Sequence, residues 1–326
     1  MKQMERLSYT MFSSWEQDPT EWYLKYIVGA PRLPQTEPMS IGSAFDAYIK
    51  NYLFARIFGS VAPEYELEAI FEAQVEPHNR DFGWTAGAYV FDEYVRSGRA
   101  AYLLSLMEQS DSAPVFERKL TSTVDVLGTE IPMTGYPDLR FVSSRGIPVI
   151  VDWKVNGFCS KSSITPEPGY VHCVDGPSWD GRASKVTHPK AVVRVLDGIT
   201  YSNGPFKSSW KDQLTMYNWM LGGALGRNAI LMIEQVAGGK QVDVRCTSSG
   251  PRPPLRFANH ACLVGACAQE TLAKRILHMW LSVQSGYIFR SLSRADNDAK
   301  VAQLEKAYGN DPDGVFSALT RTVRNY

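Results

Sequence analysis

The spacing of apolar residues changes at Val115, and that change decides what the chain can fold into. Upstream, residues 1–112 read as mainly helical. Ser40 to Phe58 and Gly87 to Gln109 place apolar side chains three and four apart, as at Tyr89, Val90, Tyr94 and Ala101 to Leu106. Asp111-Ser-Ala-Pro114 breaks that pattern. Downstream, Val115 to Leu127 is rich in Val and Thr, and Glu130 to Met133 continues the sheet after the Leu127-Gly-Thr turn. Tyr136 to Val142 and Ile147 to Lys154 are two further strands separated by Ser143-Ser-Arg-Gly146. Strands grouped between helical ends give an α+β fold, a central mixed sheet flanked by helices.

The rest of the chain fits that frame. Val155 to Phe206 is rich in Gly, Pro and Ser and too long for an ordinary connection, which marks a functional or irregular loop. Trp210 to Leu221 returns to helical spacing, and strands are expected at Ala229 to Val236 and Gln241 to Cys246. Gly250-Pro-Arg-Pro-Pro254 reads as a linker before a long helix from Ala258 to Gln284. The expected organisation is a helical region over 1–114, a core over 115–249 with its long loop at 155–206, and a helical region over 250–326, all packed as one globular unit. With 44% hydrophobic residues the chain has ample material for a core, and no apolar run reaches the roughly 18 residues of a membrane span. Five cysteines without a CxxC pair suggest neither a disulfide framework nor a zinc ribbon. A soluble, cytoplasmic protein is expected, with no membrane partner.

The chemistry concentrates in Gly135-Tyr-Pro-Asp138, followed after thirteen residues by Asp152-Trp-Lys154. If Ser143 to Gly146 is the hairpin turn, antiparallel pairing puts Asp138 opposite about Val151 or Asp152. The two carboxylates then arrive side by side, and the two-residue strand period puts Lys154 on the face of Asp152. Neighbouring carboxylates repel, a cost that a divalent cation with hard oxygen ligands removes. A lysine beside them can orient an attacking water or stabilise charge developing on a phosphate. The arrangement suits metal-assisted hydrolysis of a phosphodiester.

Pro137-Asp138 with Asp152-Trp-Lys154 resembles the PD-(D/E)XK nuclease signature, and the surrounding residues resemble its RecB-like exonuclease branch, which includes phage recombination and CRISPR-associated nucleases. Gln213-Leu-Thr-Met-Tyr217 is similar to the QxxxY element of that branch, and Gln213 and Tyr217 project from one helical face. Leu7-Ser-Tyr-Thr-Met-Phe12 through Trp15, Pro19 and Tyr23-Leu-Lys-Tyr26 resembles its N-terminal helix signature, and Glu117 sits where the family often has an acidic residue. The resemblance implies a restriction-endonuclease-like core and a Mg²⁺- or Mn²⁺-dependent DNA exonuclease. Its metal would be held by Asp138, Asp152 and the Trp153 backbone carbonyl, with Asp46 or Glu117 as further ligands. Lys154, Gln213 and Tyr217 would complete the catalytic set. DNA with linear ends is the implied substrate, in phage or bacterial recombination or repair, with a single-strand annealing or recombination protein as partner. The branch usually carries a histidine ligand in an N-terminal GxxxH context, whereas Ile41-Gly-Ser-Ala-Phe-Asp46 has an aspartate there. The cysteine pattern of the iron–sulfur members is lacking, and no cluster is expected.

Simpler readings stand beside these. Asp138 and Asp152 could be solvated strand ends, Asp46 an exposed helical residue, and Tyr217 part of a packing stripe with Trp210, Leu214 and Leu221. His172, Cys173 and His188 have irregular spacing and no fourth ligand, which argues against zinc. Charge is polarised although the chain is neutral, with 34 basic and 34 acidic residues. Five glutamates and no basic residue lie between Ser60 and His78, a solvated acidic face. Arg182, Lys185, Lys190, Arg194, Lys207 and Lys211 face only Asp197 between Gly181 and Lys211, and are expected to hold a DNA backbone. An internally cutting nuclease of the same superfamily, or an inactive DNA-binding module, are the alternative functions.

Overall fold

The computed structural model describes residues 4–29, 33–156, 172–175, 183–185, 193–202, 207–222, 225–226, 229–238 and 255–284. Helices come first: α1 (Tyr9–Gln17), α2 (Pro19–Tyr23), α3 (Glu37–Phe58), α4 (Leu67–Gln74), α5 (Arg80–Arg96) and α6 (Arg99–Glu108). The strands β1 (Val115–Phe116), β2 (Leu120–Val126), β3 (Thr129–Gly135), β4 (Leu139–Val142) and β5 (Pro148–Asn156) follow. Next come β6 (His172–Asp175), β7 (Ala183–Lys185), β8 (Val193–Leu196), β9 (Ile199–Ser202), α7 (Ser208–Gly222), β10 (Ile230–Gly238), β11 (Leu255–Leu263) and α8 (Ala266–Gln284). The α+β class with a mixed central sheet is therefore observed. The expected strand over Gln241 to Cys246 lies outside the described residues, as does most of the long loop.

The seven-stranded sheet runs β1-β4-β5-β10-β11-β6-β7. Among the described strands of this sheet only β5 and β10 run parallel, from Ile230 beside Val149 to Ala237 beside Asn156. That crossover passes through α7, as a parallel pair requires a long connection. Two hairpins, β2–β3 and β8–β9, stand apart from the main sheet.

Alternation along β5 assigns each face. Val149, Val151 and Trp153 join Ile41, Phe45, Val90, Tyr94 and Leu103 in a core under α3, α5 and α6. Ile150 joins Leu214, Trp219, Leu231, Ile276 and the β2–β3 residues Val124 and Met133 in a second core under α7 and α8. The sheet is thus covered by helices on both sides. Leu7 ties the start of the chain to β3, donating to Pro132 O at 2.8 Å and accepting from Thr134 N at 2.9 Å.

Three expectations change. The helix read over Gly87 to Gln109 is two helices, because Gly98 at φ 82 ends α5 and starts α6 in a left-handed conformation that suits glycine. The strand read over Val115 to Leu127 is interrupted at Glu117, whose φ of 38 is unusual for a residue with a side chain. The helix read from Ala258 begins at Ala266. Leu255 to Leu263 instead pairs with β10 over nine positions and is buried on both faces. Burial on both faces removes the alternation that marks a strand, so a run such as Phe257-Ala-Asn-His-Ala-Cys-Leu263 reads equally well as helix.

Candidate active site

The β4–β5 hairpin turns at Ser143 to Gly146, with Gly146 N donating to Ser143 O at 2.9 Å. Its register places Leu139 opposite Val151, so the residue before β4, Asp138, stands beside Asp152. Trp153 N donates to Asp138 Oδ2 at 2.9 Å, fixing that carboxylate from the neighbouring strand. Asp152 is buried in the middle of β5, and Lys154 follows on the same face and forms an ion pair with it.

On the face of β5 that carries Asp152 and Lys154, α7 delivers Gln213. Its amide nitrogen donates to Asp152 Oδ1 at 3.0 Å, and its amide oxygen accepts from Lys154 Nζ at 3.0 Å. The same nitrogen lies 3.1 Å from Tyr217 Oη, one turn further along. Tyr217 is buried, as the packing-stripe reading held, yet touches the site through Gln213. Helix α7 is anchored by Arg275 of α8, which bonds Asp212 at 2.8 Å and Glu16 of α1 at 2.7 Å.

Helix α3 supplies Asp46 and, one turn on, Lys50. The Lys50 ammonium is 1% exposed and contacts Asp46, Glu117 at 2.7 Å and Asp138 at 3.9 Å. Glu117 is turned toward it by its left-handed backbone, with Glu117 N donating to Asp138 O at 3.0 Å. Strain at one residue of a functional cluster is a common device for aiming a side chain. Gln74 at the end of α4 adds a donor to Asp46 Oδ2 at 2.8 Å and one to Glu117 Oε2 at 3.3 Å.

Crowding sets the protonation of the group. Burial, opposed by Lys50 and reinforced by Asp138 and Glu117, pushes the Asp46 carboxyl up to about 7. Burial, opposed by Lys154 and reinforced by Asp138, pushes Asp152 up to about 6. Burial alone would lower both lysines, but the carboxylates outweigh it and hold Lys50 and Lys154 above their ordinary values.

Asp46, Gln74, Asp138, Asp152, Lys154 and Gln213 line a cleft of about 570 Å³. Of the basic residues expected to hold DNA, Lys207 lines the cleft, its ammonium 4.8 Å from the Trp210 ring centre. Lys211 lies on α7 outside the cleft wall, and Arg194 is exposed on β8. The β8–β9 hairpin is drawn to the α6 side, where Tyr102 Oη donates to Gly198 O at 3.3 Å. Lys185 lies on β7, and Arg182, Lys190 and His188 lie outside the described residues.

Among the described residues, no three His, Cys, Asp or Glu side chains converge as a ready metal site. The ammonium of Lys50 stands among Asp46, Glu117 and Asp138, and that of Lys154 against Asp152. The donor set nevertheless suits a hard divalent cation. Its acidic side chains are all carboxylates and outnumber the two ammonium groups, with the Lys154 ammonium against the buried Asp152 Oδ2.

Lys50 and Gln74 were not singled out in the sequence. Asp46 and Lys50 are four apart on one helix, a pairing signal available without a structure. Nothing in the sequence marks Gln74, which reaches the cluster only because α4 packs on α3.

Among the described residues no helix is long and apolar enough to cross a membrane. No family model matches the chain, and no curated protein matches it. Among solved structures, one titled "Crystal structure of SSO0001" aligns with 81% of this chain and 85% of its own at 9% identity and a TM-score of 0.24, a likeness too slight to carry an argument.

Proposed function

We propose that the chain is a Mg²⁺- or Mn²⁺-dependent deoxyribonuclease with a restriction-endonuclease-like core of the PD-(D/E)XK type, acting as an exonuclease on linear DNA ends. The observation that carries this reading is the convergence of Asp138, Asp152, Lys154 and Gln213 from two strands and a helix at one cleft. Each of the four has a hydrogen-bonded or ion-paired neighbour within the group or its immediate backbone.

Asp138 and Asp152, with the Trp153 carbonyl, would hold the cation, whose chemistry is to neutralise charge on the scissile phosphate and acidify a water. Lys154 would orient that water or meet negative charge developing on the phosphate. Gln213 positions both Asp152 and Lys154, and Tyr217 braces Gln213. Lys207 at the cleft wall would contact the DNA backbone, an interaction that weakens with salt. A place in phage or bacterial recombination, beside a strand-annealing partner, belongs to the same proposal.

End-labelled linear and closed circular DNAs, each with and without Mg²⁺ or Mn²⁺, test it beside Lys154→Ala. Metal-dependent loss of linear DNA with circles left intact, abolished by Lys154→Ala, is expected. Cut circles would assign internal cleavage instead. If wild-type protein leaves every substrate whole with either metal, the nuclease proposal fails. A DNA-binding module without turnover would then be favoured by the ammonium of Lys50 inside the acidic cluster.

A further inference from the structure

Two large apolar side chains stand exposed on the wall of the cleft, Tyr136 at 49% and Met39 at 59%. Met39 lies on α3, about two turns before Asp46. Tyr136 lies between β3 and β4, two residues before Asp138, and so at most about 7 Å from it along the chain. Among the described residues the Tyr136 ring has no aromatic, cationic or hydrogen-bond partner.

Its backbone, by contrast, is clamped. On one side Gly135 pairs with Leu120 in the β2–β3 hairpin and lies so close to α7 that a Cβ there would come within 2.4 Å of the Tyr217 ring. The Tyr217 hydroxyl reaches the Tyr136 backbone itself. On the other side Asp138 is held by Trp153 N and by Glu117 N. Pro137 fixes its own φ and keeps the residue before it extended. A lone exposed ring is ordinary on a surface loop. This one is carried on a short bridge between fixed points, beside the carboxylates, so little backbone ordering is left for a ligand to impose.

We infer that Tyr136 is a stacking platform for a nucleobase, that of a nucleotide next to the phosphate met by Asp138 and Asp152. The inference rests on the nuclease reading above and adds how the cleft grips the substrate strand. A flat aromatic face stacks on any base, which suits an enzyme without sequence preference. Phosphate and base are then met by different chemistry, charge at the floor of the cleft and an apolar ring on its wall. A base shows its face only where no neighbour covers it. The nucleotide on Tyr136 is therefore the last of its strand or one drawn out of the duplex, which makes a strand end the part of DNA the cleft takes in.

Binding of an end-labelled linear duplex to the full chain, followed by fluorescence anisotropy with Ca²⁺ in place of Mg²⁺ to keep the DNA whole, tests the inference. Tyr136→Ala is expected to bind about 5- to 150-fold more weakly, the range for one stacked base, and Tyr136→Phe within about twofold of wild type. Single abasic nucleotides placed in turn at the terminal positions should reveal one at which wild type loses the same factor. Tyr136→Ala should lose nothing more there, because the pair is already broken. Tyr136→Ala binding as wild type does, or abasic losses that add to the alanine loss at every position, would overturn the inference. Metal-dependent cleavage by the wild type would then leave the nuclease reading standing. A Tyr136→Phe as weak as Tyr136→Ala would also overturn it, by assigning the hydroxyl and not the ring. If Tyr136→Ala does not fold, the wild-type scan decides alone, and no position costing about fivefold would overturn the inference. Wild type that binds DNA without cutting it would remove the nuclease reading and leave stacking to be decided by the same scan, whereas wild type that binds no DNA would overturn both.

Discussion

The backbone N–H of Trp153 donates to Asp138 Oδ2 at 2.9 Å, so one acidic residue of the site is aimed by the main chain of the strand that carries the other. The bond closes the end of the β4–β5 hairpin, where Asp138 already accepts at its carbonyl from Glu117 N. Asp138 is in this way held by both neighbouring strands, while Asp152 and Lys154 are held by a side chain, Gln213.

That difference makes Gln213 the sensitive point. Gln213→Ala removes the donor to Asp152 Oδ1 and the acceptor for Lys154 together, without touching the fold of β5. Loss of a group that orients ligands costs activity by about 10–100-fold. Single-turnover cleavage of linear DNA is expected to slow by that factor, with substrate affinity nearly unchanged. Equal rates for the variant and wild type would show that Asp152 and Lys154 need no support from α7.

Activity should rise with pH. Burial among carboxylates keeps the Asp152 proton until about 6 and the Asp46 proton until about 7, against an ordinary value of 3.8. A cation competes with those protons, so Mn²⁺ affinity and cleavage are expected to climb through this window and level above it. The metal-free stability runs the other way. Folded Asp46 and Asp152 hold protons that the unfolded chain releases near 3.8, so their contribution is full below that pH and is lost as pH rises toward 7. Denaturant melts of the metal-free protein over this range, with Asp46→Asn flattening the slope, check the sign.

His260 acts in the opposite direction. It is 1% exposed in β11, with its Nε2 at 2.9 Å from Gln235 Oε1. Burial, helped by Lys207, lowers its ring to about 3 from 6.5. The unfolded chain takes the proton first, so stability from this group is full above 6.5 and falls as pH drops toward 3. The expected loss is on the order of 2 kcal/mol by about pH 5. His260→Gln should remove that part of the acid sensitivity, read from urea melts on either side of the window.

The hairpin was legible because its information is local. Ser143 to Gly146 makes the turn, and a two-residue period then dictates that Asp138 meets Asp152 and that Lys154 shares its face. Gln213 and Tyr217 were legible as a helical pair four apart. The cluster around Lys50 was not, since Asp46, Gln74 and Glu117 meet only through the packing of α3, α4 and β1. Strand β11 was hidden for a different reason. Both its faces are buried, and its polar members Asn259 and His260 bond to Glu234 and Gln235 on β10 instead of marking a solvent face.

The bonding of Asn259 belongs to a network on the α6 side of the sheet. Arg99 donates to Glu234 through Nε at 3.0 Å and through a second nitrogen, and Tyr94 Oη donates to the same carboxylate at 3.1 Å. All three residues are buried. Removing one partner of such a pair strands the other charge, a cost of about 3–5 kcal/mol. Arg99→Met is expected to destabilise by that amount in denaturant melts. Arg99→Met with Glu234→Gln should recover most of it, because no charge is left buried. If the double variant is no more stable than the single, the arginine contributes by packing rather than by charge.

Gly87 tests how tightly the site depends on helix packing. Helices α3 and α5 cross where Gly87 faces Ala44, and a Cβ at residue 87 would lie 2.4 Å from Ala44 Cβ and 3.1 Å from the Ala44 carbonyl carbon. The nearest atoms are Cβ and backbone, not the end of a flexible side chain, so the helices themselves would have to separate. Overpacking of this kind costs about 1–3 kcal/mol. The shift falls on α3 two residues before Asp46 and six before Lys50, so the acidic cluster should move with it. Gly87→Ala is expected to lower both the melting temperature and the Mn²⁺ affinity. Adding Ala44→Gly relieves the Cβ contact, so the two substitutions together should cost less than their sum; strict additivity would mean that the helices do not meet at these residues.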